Sequence, residues 1–200
     1  MDQWRDEGID NRRTEYAVEP LFPNRWSPRS MSGETIQPDE LMSLFEAARW
    51  APSAMNNQPW RFFYGMRGTS NFENLYNLLA EGNKIWAGNA AVLVVIVSRS
   101  IFEQNGKPNP THSFDTGAAW MSLALAGSMR GYVVHGMAGF DYVRAGQLLQ
   151  LDQDYSVEAM CAIGIRDVKE KLPPDLQKRE TPSDRHPLQK TVFEGVMKRD

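Results

Sequence analysis

Scarcity defines this chain first: its 200 residues include one cysteine and three histidines. A lone Cys161 cannot close an internal disulfide, so a reducing compartment is expected. Its setting, Met160-Cys161-Ala162-Ile163, reads as buried strand and not as the site of a nucleophile. His112, His135 and His186 are too scattered to match a zinc-ligand spacing, and no metal is expected. The longest unbroken apolar stretch, Ala90 to Val97, falls far short of the ~20 residues that span a bilayer. The opening Met1-Asp2-Gln3-Trp4-Arg5-Asp6-Glu7 lacks the basic-then-apolar order of a secretory signal, so a cytoplasmic location is expected. GxGxxG, GxxxxGK[ST] and GxSxG are all missing, which removes the usual signatures of dinucleotide folds, phosphate-binding NTPase loops and serine hydrolases. A net charge of −3 argues against general affinity for nucleic acid.

What is present reads as one domain of ordinary size, residues 20–200, behind a polar N-terminal arm, residues 1–19. Hydrophobic residues at 42% and charged residues at 24% are a normal globular balance. Leu21 to Met31 reads as an ordered loop rich in arginine and proline. Pro38-Asp39-Glu40 opens a helix, with proline in the first turn and acids where the helix dipole favours them. Its apolar positions, Leu41, Leu44, Phe45 and Ala48, recur at helical spacing. Strands are expected at Trp60–Met66, Ala91–Ser98 and Ala159–Ile165, a short strand or extended segment at Tyr132–Met137, and helices at Asn71–Ala80, Ser113–Arg130 and Tyr142–Leu151. The run Val92 to Val97 is β-branched nearly throughout, the mark of a strand covered on both faces. Ser113–Arg130 is small or apolar nearly all round, which predicts a central buried helix and suggests an oligomer. Alternation of strands and helices with few hairpin signals favours an α+β fold, a mixed sheet flanked by helices. The tail from Lys169, rich in proline and charge, is expected to run over the surface.

Three stretches could carry chemistry. Ala51-Pro52-Ser53-Ala54-Met55-Asn56-Asn57-Gln58-Pro59-Trp60 holds side-chain amides and a hydroxyl between two prolines that fix φ. Such a loop suits a flat polar ligand, although a well-capped turn would look similar. Arg25-Trp26-Ser27-Pro28-Arg29 places two guanidiniums four residues apart around a hydroxyl, a pattern suited to phosphate or to a solvated basic loop. Arg185, in Ser183-Asp184-Arg185-His186-Pro187-Leu188, could add a third cation. Gly136-Met137-Ala138-Gly139-Phe140-Asp141 offers bare main chain to a ligand, or simply a strand-to-helix turn. Asp115 reads as a charge at a helix terminus. No acid–base or covalent machinery is advertised, which fits a protein whose reactive group is a bound cofactor.

Taken in order, these blocks resemble those of the FMN-dependent nitroreductase family. Arg25 to Arg29 is similar to an Arg-x-Ser-x-(Arg/Lys) block, and Ala51 to Trp60 to an (Ala/Ser)-Pro-Ser-x-x-Asn-x-Gln-Pro-Trp signature. Asp115-Thr116-Gly117-Ala118-Ala119 resembles the start of the family's central helix. Gly136 to Asp141 resembles its Gly-Phe-Asp turn, and Arg185 to Leu188 its C-terminal arginine block. The resemblance implies an α+β, intertwined homodimer with FMN at the subunit interface. It also implies NADH or NADPH as reductant and a small planar acceptor, such as a nitroaromatic or quinone, served by ping-pong exchange. Other branches with this fold dehalogenate or reduce enals, and a flavin-storing or flavin-sensing protein would show the same blocks. By the same resemblance Arg25, Ser27 and Arg29, helped by Arg185, would hold phosphate and ribityl chain, with Trp26 at a backbone-contact position. Pro52, Ser53, Ala54 and Asn56 would reach the flavin from the partner subunit. Asn83 would contact the isoalloxazine ring, and Gly136, Met137, Ala138 and Gly139 would line its other face. The link from Arg99 to Pro110 is shorter than in well-known members, which insert helices there.

Overall fold

A computed structural model of the chain describes residues 7–197, so the first six residues of the expected arm lie outside the described residues. Helix α1 (Glu7–Asn11) and the single turn α2 (Leu21–Asn24) precede α3 (Pro38–Arg49). Strand β1 (Trp60–Met66) follows, then α4 (Ser70–Tyr76), α5 (Glu81–Ala87) and β2 (Val92–Arg99). Helix α6 (His112–Met129), β3 (Tyr132–Met137), α7 (Tyr142–Leu148), β4 (Tyr155–Ile165) and a short α8 (Pro174–Gln177) complete the order.

The strands form one sheet in the order β1-β2-β4-β3, and every described pairing is antiparallel. The α+β class with flanking helices is as expected, but the sheet is not mixed: α4–α5 and α6 carry the chain across so that each strand runs antiparallel to its neighbours. Central β2 is buried from Val92 to Ser98. Its side chains alternate between two cores, as a strand of period two must. Val92, Val94 and Ile96 meet Leu41, Leu44 and Ala48 of α3 and Leu123 and Ala124 of α6. Leu93, Val95 and Val97 face Phe72 and Leu75 of α4, Trp86 of α5 and Leu172 of the tail. Gly65 is required where α4 crosses β1, because a Cβ there would lie 2.4 Å from the Phe72 backbone nitrogen.

Several boundaries move. Leu21–Asn24 is a helical turn inside what reads as loop, and β4 begins at Tyr155, four residues before its apolar half. The helix expected over Asn71–Ala80 stops at Tyr76, and the helix from Tyr142 stops at Leu148. Helix α6 is apolar all round but buried on one side only. Asp115, Thr116, Ala119, Leu123, Ala124 and Gly127 face the sheet, while Phe114 (81%) and Met129 (73%) are exposed. No helix of the described residues is long and apolar enough to cross a membrane.

Candidate functional site

The arginine loop is held against the end of the sheet by backbone contacts. Met31 bridges to Arg166 just past β4, and the Ser32 N–H donates to the Ile165 carbonyl at 3.0 Å. His135 on β3 contacts the Pro28 carbonyl through Nδ1 at 2.8 Å. Burial, only partly offset by that bond, pulls the His135 pKa down to about 4, so it is neutral near pH 7. Glu180, which is 1% exposed, accepts the N–H groups of Arg29 and Ser30 at 2.8 Å each and is paired with Arg166. The Trp26 ring lies under the Arg166 guanidinium at 5.0 Å. The backbone carrying Arg25, Ser27 and Arg29 is thus fixed while those side chains remain partly accessible.

Their charges lack full compensation. Arg25 is lowered from the usual arginine range by burial and then by nearby Arg185. Arg29 is lowered by burial and by Arg179, with Glu180 opposing. Arg25 also donates to Ser27 Oγ at 3.3 Å. Crowding partly desolvated guanidiniums is unfavourable unless an anion joins them. The sequence-distant Arg25 and Arg185 do converge.

Beside this cluster, β3 ends at Met137, whose side chain is buried in the core shared with Phe140 and Trp86. Ala138 is exposed. Among the described residues the N–H groups of Ala138 and Gly139 have no protein acceptor. Asn83, on α5, donates through Nδ2 to the Gly139 carbonyl at 3.0 Å. Both glycines are explained by close neighbours: a Cβ on Gly139 would sit 2.8 Å from Asn83 Nδ2, and one on Gly136 would sit 3.0 Å from the Trp120 ring.

The Pro52–Gln58 loop lies elsewhere, at the start of β1. Met55, Asn56 and Gln58 adopt φ of 53°, 52° and 47°. Left-handed geometry at non-glycine residues costs roughly 1–2 kcal/mol each, so tertiary contacts must hold it. Asp115 in the first turn of α6 accepts the Ala54 N–H at 3.1 Å, and Ser53 Oγ accepts the Gln58 N–H at 3.0 Å. Asn57 reaches the Ile101 carbonyl at 3.3 Å and takes the Glu103 N–H at 2.9 Å. Pro52, Met55 and Asn56 are left exposed. Because β1 and β3 are opposite edges of the sheet, three strand spacings, about 14 Å, separate the strands that carry the two groups. The expected site residues therefore fall into two groups on opposite edges of the sheet. Sequence reasoning missed Glu180 and the structural reach of Asp115; their partners lie 150 and 61 positions away, and no local pattern marks them.

The nitroreductase family model matches residues 23–84, which hold the arginine loop, the amide-rich loop and Asn83. A crystal structure described as an oxidoreductase containing FMN is 45% identical, covers 94% of this chain and 96% of its own, and superposes with a TM-score of 0.90. Protein DrgA of a Synechocystis strain is 29% identical over 154 residues, 64% of this chain and 73% of DrgA. A Streptomyces coelicolor protein with the provisional name NADH dehydrogenase/NAD(P)H nitroreductase is 32% identical over 85 residues, 42% of each chain. A likeness this close along nearly the whole length, joined to a family match on the segments that build both halves of the site, means that this chain belongs to the nitroreductase family.

Proposed function

We propose that the chain is an FMN-dependent oxidoreductase that passes electrons from NADH or NADPH to a small planar acceptor by ping-pong exchange. The observation that carries this reading is the convergence of Arg25 and Arg185, with Arg29 on the same loop and both loop arginines within electrostatic reach of His135 on β3, a strand that ends in unspent N–H groups. The 45%-identical relative described as containing FMN supports the choice of ligand. The residues present fit that group: guanidiniums and Ser27 for a phosphate and ribityl chain, and a polar main-chain edge for a flat ring.

Bound FMN would supply the two-electron chemistry that no side chain here provides. Arg25 and Arg29 would anchor the phosphate with bidentate donors, Arg185 would add charge, and Ser27 would offer a hydroxyl. Trp26, stacked on Arg166, would keep the loop backbone in place. The N–H groups of Ala138 and Gly139, with Gly136 and Met137 setting the strand end, would donate to a ring edge that gains negative charge on reduction. Asn83 would hold that turn in register. Pro52, Ser53, Ala54 and Asn56 sit too far across the sheet to join the same ring in one chain, which supports a homodimer in which each copy completes the other's site. The exposed apolar residues of α6, Phe114 and Met129, supply a surface for that second copy.

The test is the visible spectrum of purified protein with chromatographic identification of the released chromophore. Flavin bands near one FMN per subunit are expected, and Arg25→Ala with Arg29→Ala should purify colourless. A double variant that keeps a full complement of FMN would remove the phosphate assignment.

A further inference from the structure

The N-terminal segment that precedes the family match is not a free arm. Glu7 pairs with Arg166 at 3.6 Å, and the Ile9 N–H donates to Asn24 Oδ1 at 2.8 Å. Gly8 is buried so tightly that a Cβ would lie 2.3 Å from the Pro23 carbonyl oxygen. Glu15 accepts the Leu188 N–H at 3.0 Å. Between these points Arg12 donates to three carbonyls: Pro23 at 2.6 Å, Arg25 at 2.9 Å and Ser183 at 2.8 Å.

Two of those carbonyls belong to Arg25 itself and to a residue two positions before Arg185. The same guanidinium therefore grips both segments that bring cations to the proposed phosphate site. It does so against repulsion: burial, then Arg185 and Arg25, lower Arg12, and Asp184 only partly offsets them. Nothing in the fold of the sheet demands this contact, since Arg12 touches neither core. A planar fork with several donors can span three carbonyls at once, which the ammonium of lysine cannot do in the same geometry.

We propose that residues 7–15 form a clasp that assembles the anion-binding half of the site, with Arg12 as its positioning residue. The inference rests on the FMN reading above. It assigns the arm a role in selecting a phosphorylated ligand: the clasp sets the spacing of Arg25 and Arg185, so its loss costs affinity for the phosphate and not for the ring.

The experiment titrates refolded apoprotein with FMN and with riboflavin, which lacks the phosphate, following flavin fluorescence. Wild type is expected to prefer FMN strongly. Arg12→Ala should reduce that preference at least tenfold while riboflavin affinity stays within about twofold, and Arg12→Lys should not restore it. An unchanged preference in Arg12→Ala, or full rescue by lysine, would overturn the clasp. A wild-type protein with no preference for FMN would instead overturn the FMN reading, and the clasp with it. Linkage supplies a check that needs no variant, because a ligand stabilised by the arm must in turn stabilise the arm. FMN should slow tryptic cleavage after Arg12 and Arg13 several-fold more than riboflavin does, and equal protection would also overturn the proposal.

Discussion

Glu180→Ala removes a single carboxylate, and its cost follows from what that carboxylate holds. The side chain is buried, accepts the Arg29 N–H through both oxygens at 2.8 and 3.0 Å and the Ser30 N–H at 2.8 Å, and is paired with Arg166. Arg166 would still have the longer contact to Glu7 at 3.6 Å and its place over the Trp26 ring. Breaking a buried ion pair from one side typically costs 3–5 kcal/mol, because the remaining charge stays desolvated. Two stranded N–H donors push toward the upper end. For a chain of this size each kcal/mol moves the melting temperature by about 2–4 °C, so a fall on the order of 10 °C is expected. Thermal and urea denaturation of the apoprotein by circular dichroism measures it. Adding Arg166→Met should recover part of the loss, since a buried cation that has lost its nearest carboxylate adds to the penalty of the missing contacts. A loss below about 1 kcal/mol, or a double variant no more stable than the single one, would refute this account of the loop's anchorage.

Two further predictions rest on other buried groups. The folded-state pKa of His135, about 4 against an ordinary 6.5, is depressed, so its contribution is fully present above pH 6.5 and is lost as pH falls toward 4, where the unfolded chain binds the proton first. The drop amounts to roughly 3 kcal/mol at about 1.4 kcal/mol per pH unit, and His135→Asn should flatten urea midpoints measured between pH 7 and 4.5; an equally steep variant would exclude His135 as the source. Asp115→Asn should cost about 1–2 kcal/mol by weakening charge-assisted bonds to Ala54 N–H and Thr111 Oγ1, and should raise amide exchange across Pro52–Gln58, whereas an unchanged exchange rate would mean that the loop holds itself.

Legibility in the sequence tracked the range of the forces involved. β1 and β3 match their expected limits and α3 and β2 fall within a residue or two, because periodicity and flanking prolines act over a few positions. α5 escaped notice: Gly82 and Asn83 are poor helix formers, and Ile85 is exposed, so only Trp86 and Ala87 face the core. The polar start of β4, Tyr155 to Glu158, lacks the apolar run that marks its second half. Arg25, Arg29 and Arg185 were readable as candidates because each sits in a recognisable block, and the structure brings Arg25 and Arg185 within electrostatic reach. That Pro52–Asn56 stands on the opposite sheet edge was not readable, since strand order is a tertiary property. Glu180 and Arg12 were invisible for the same reason: Glu180 holds Ser30 across 150 positions and Arg12 reaches Ser183 across 171.

The lacing of Arg12 to Ser183 across 171 positions has a consequence for how the protein is made. Synthesis is vectorial, and domains fold as their residues emerge. The sheet has all four strands once Ile165 is out, and both helix layers are by then available. Arg12 can reach the Pro23 and Arg25 carbonyls early, but its bond to Ser183 must wait for the tail. A chain halted before Glu180 has its four strands but lacks the carboxylate that holds the Arg29 and Ser30 N–H groups, and lacks Arg185 beside Arg25.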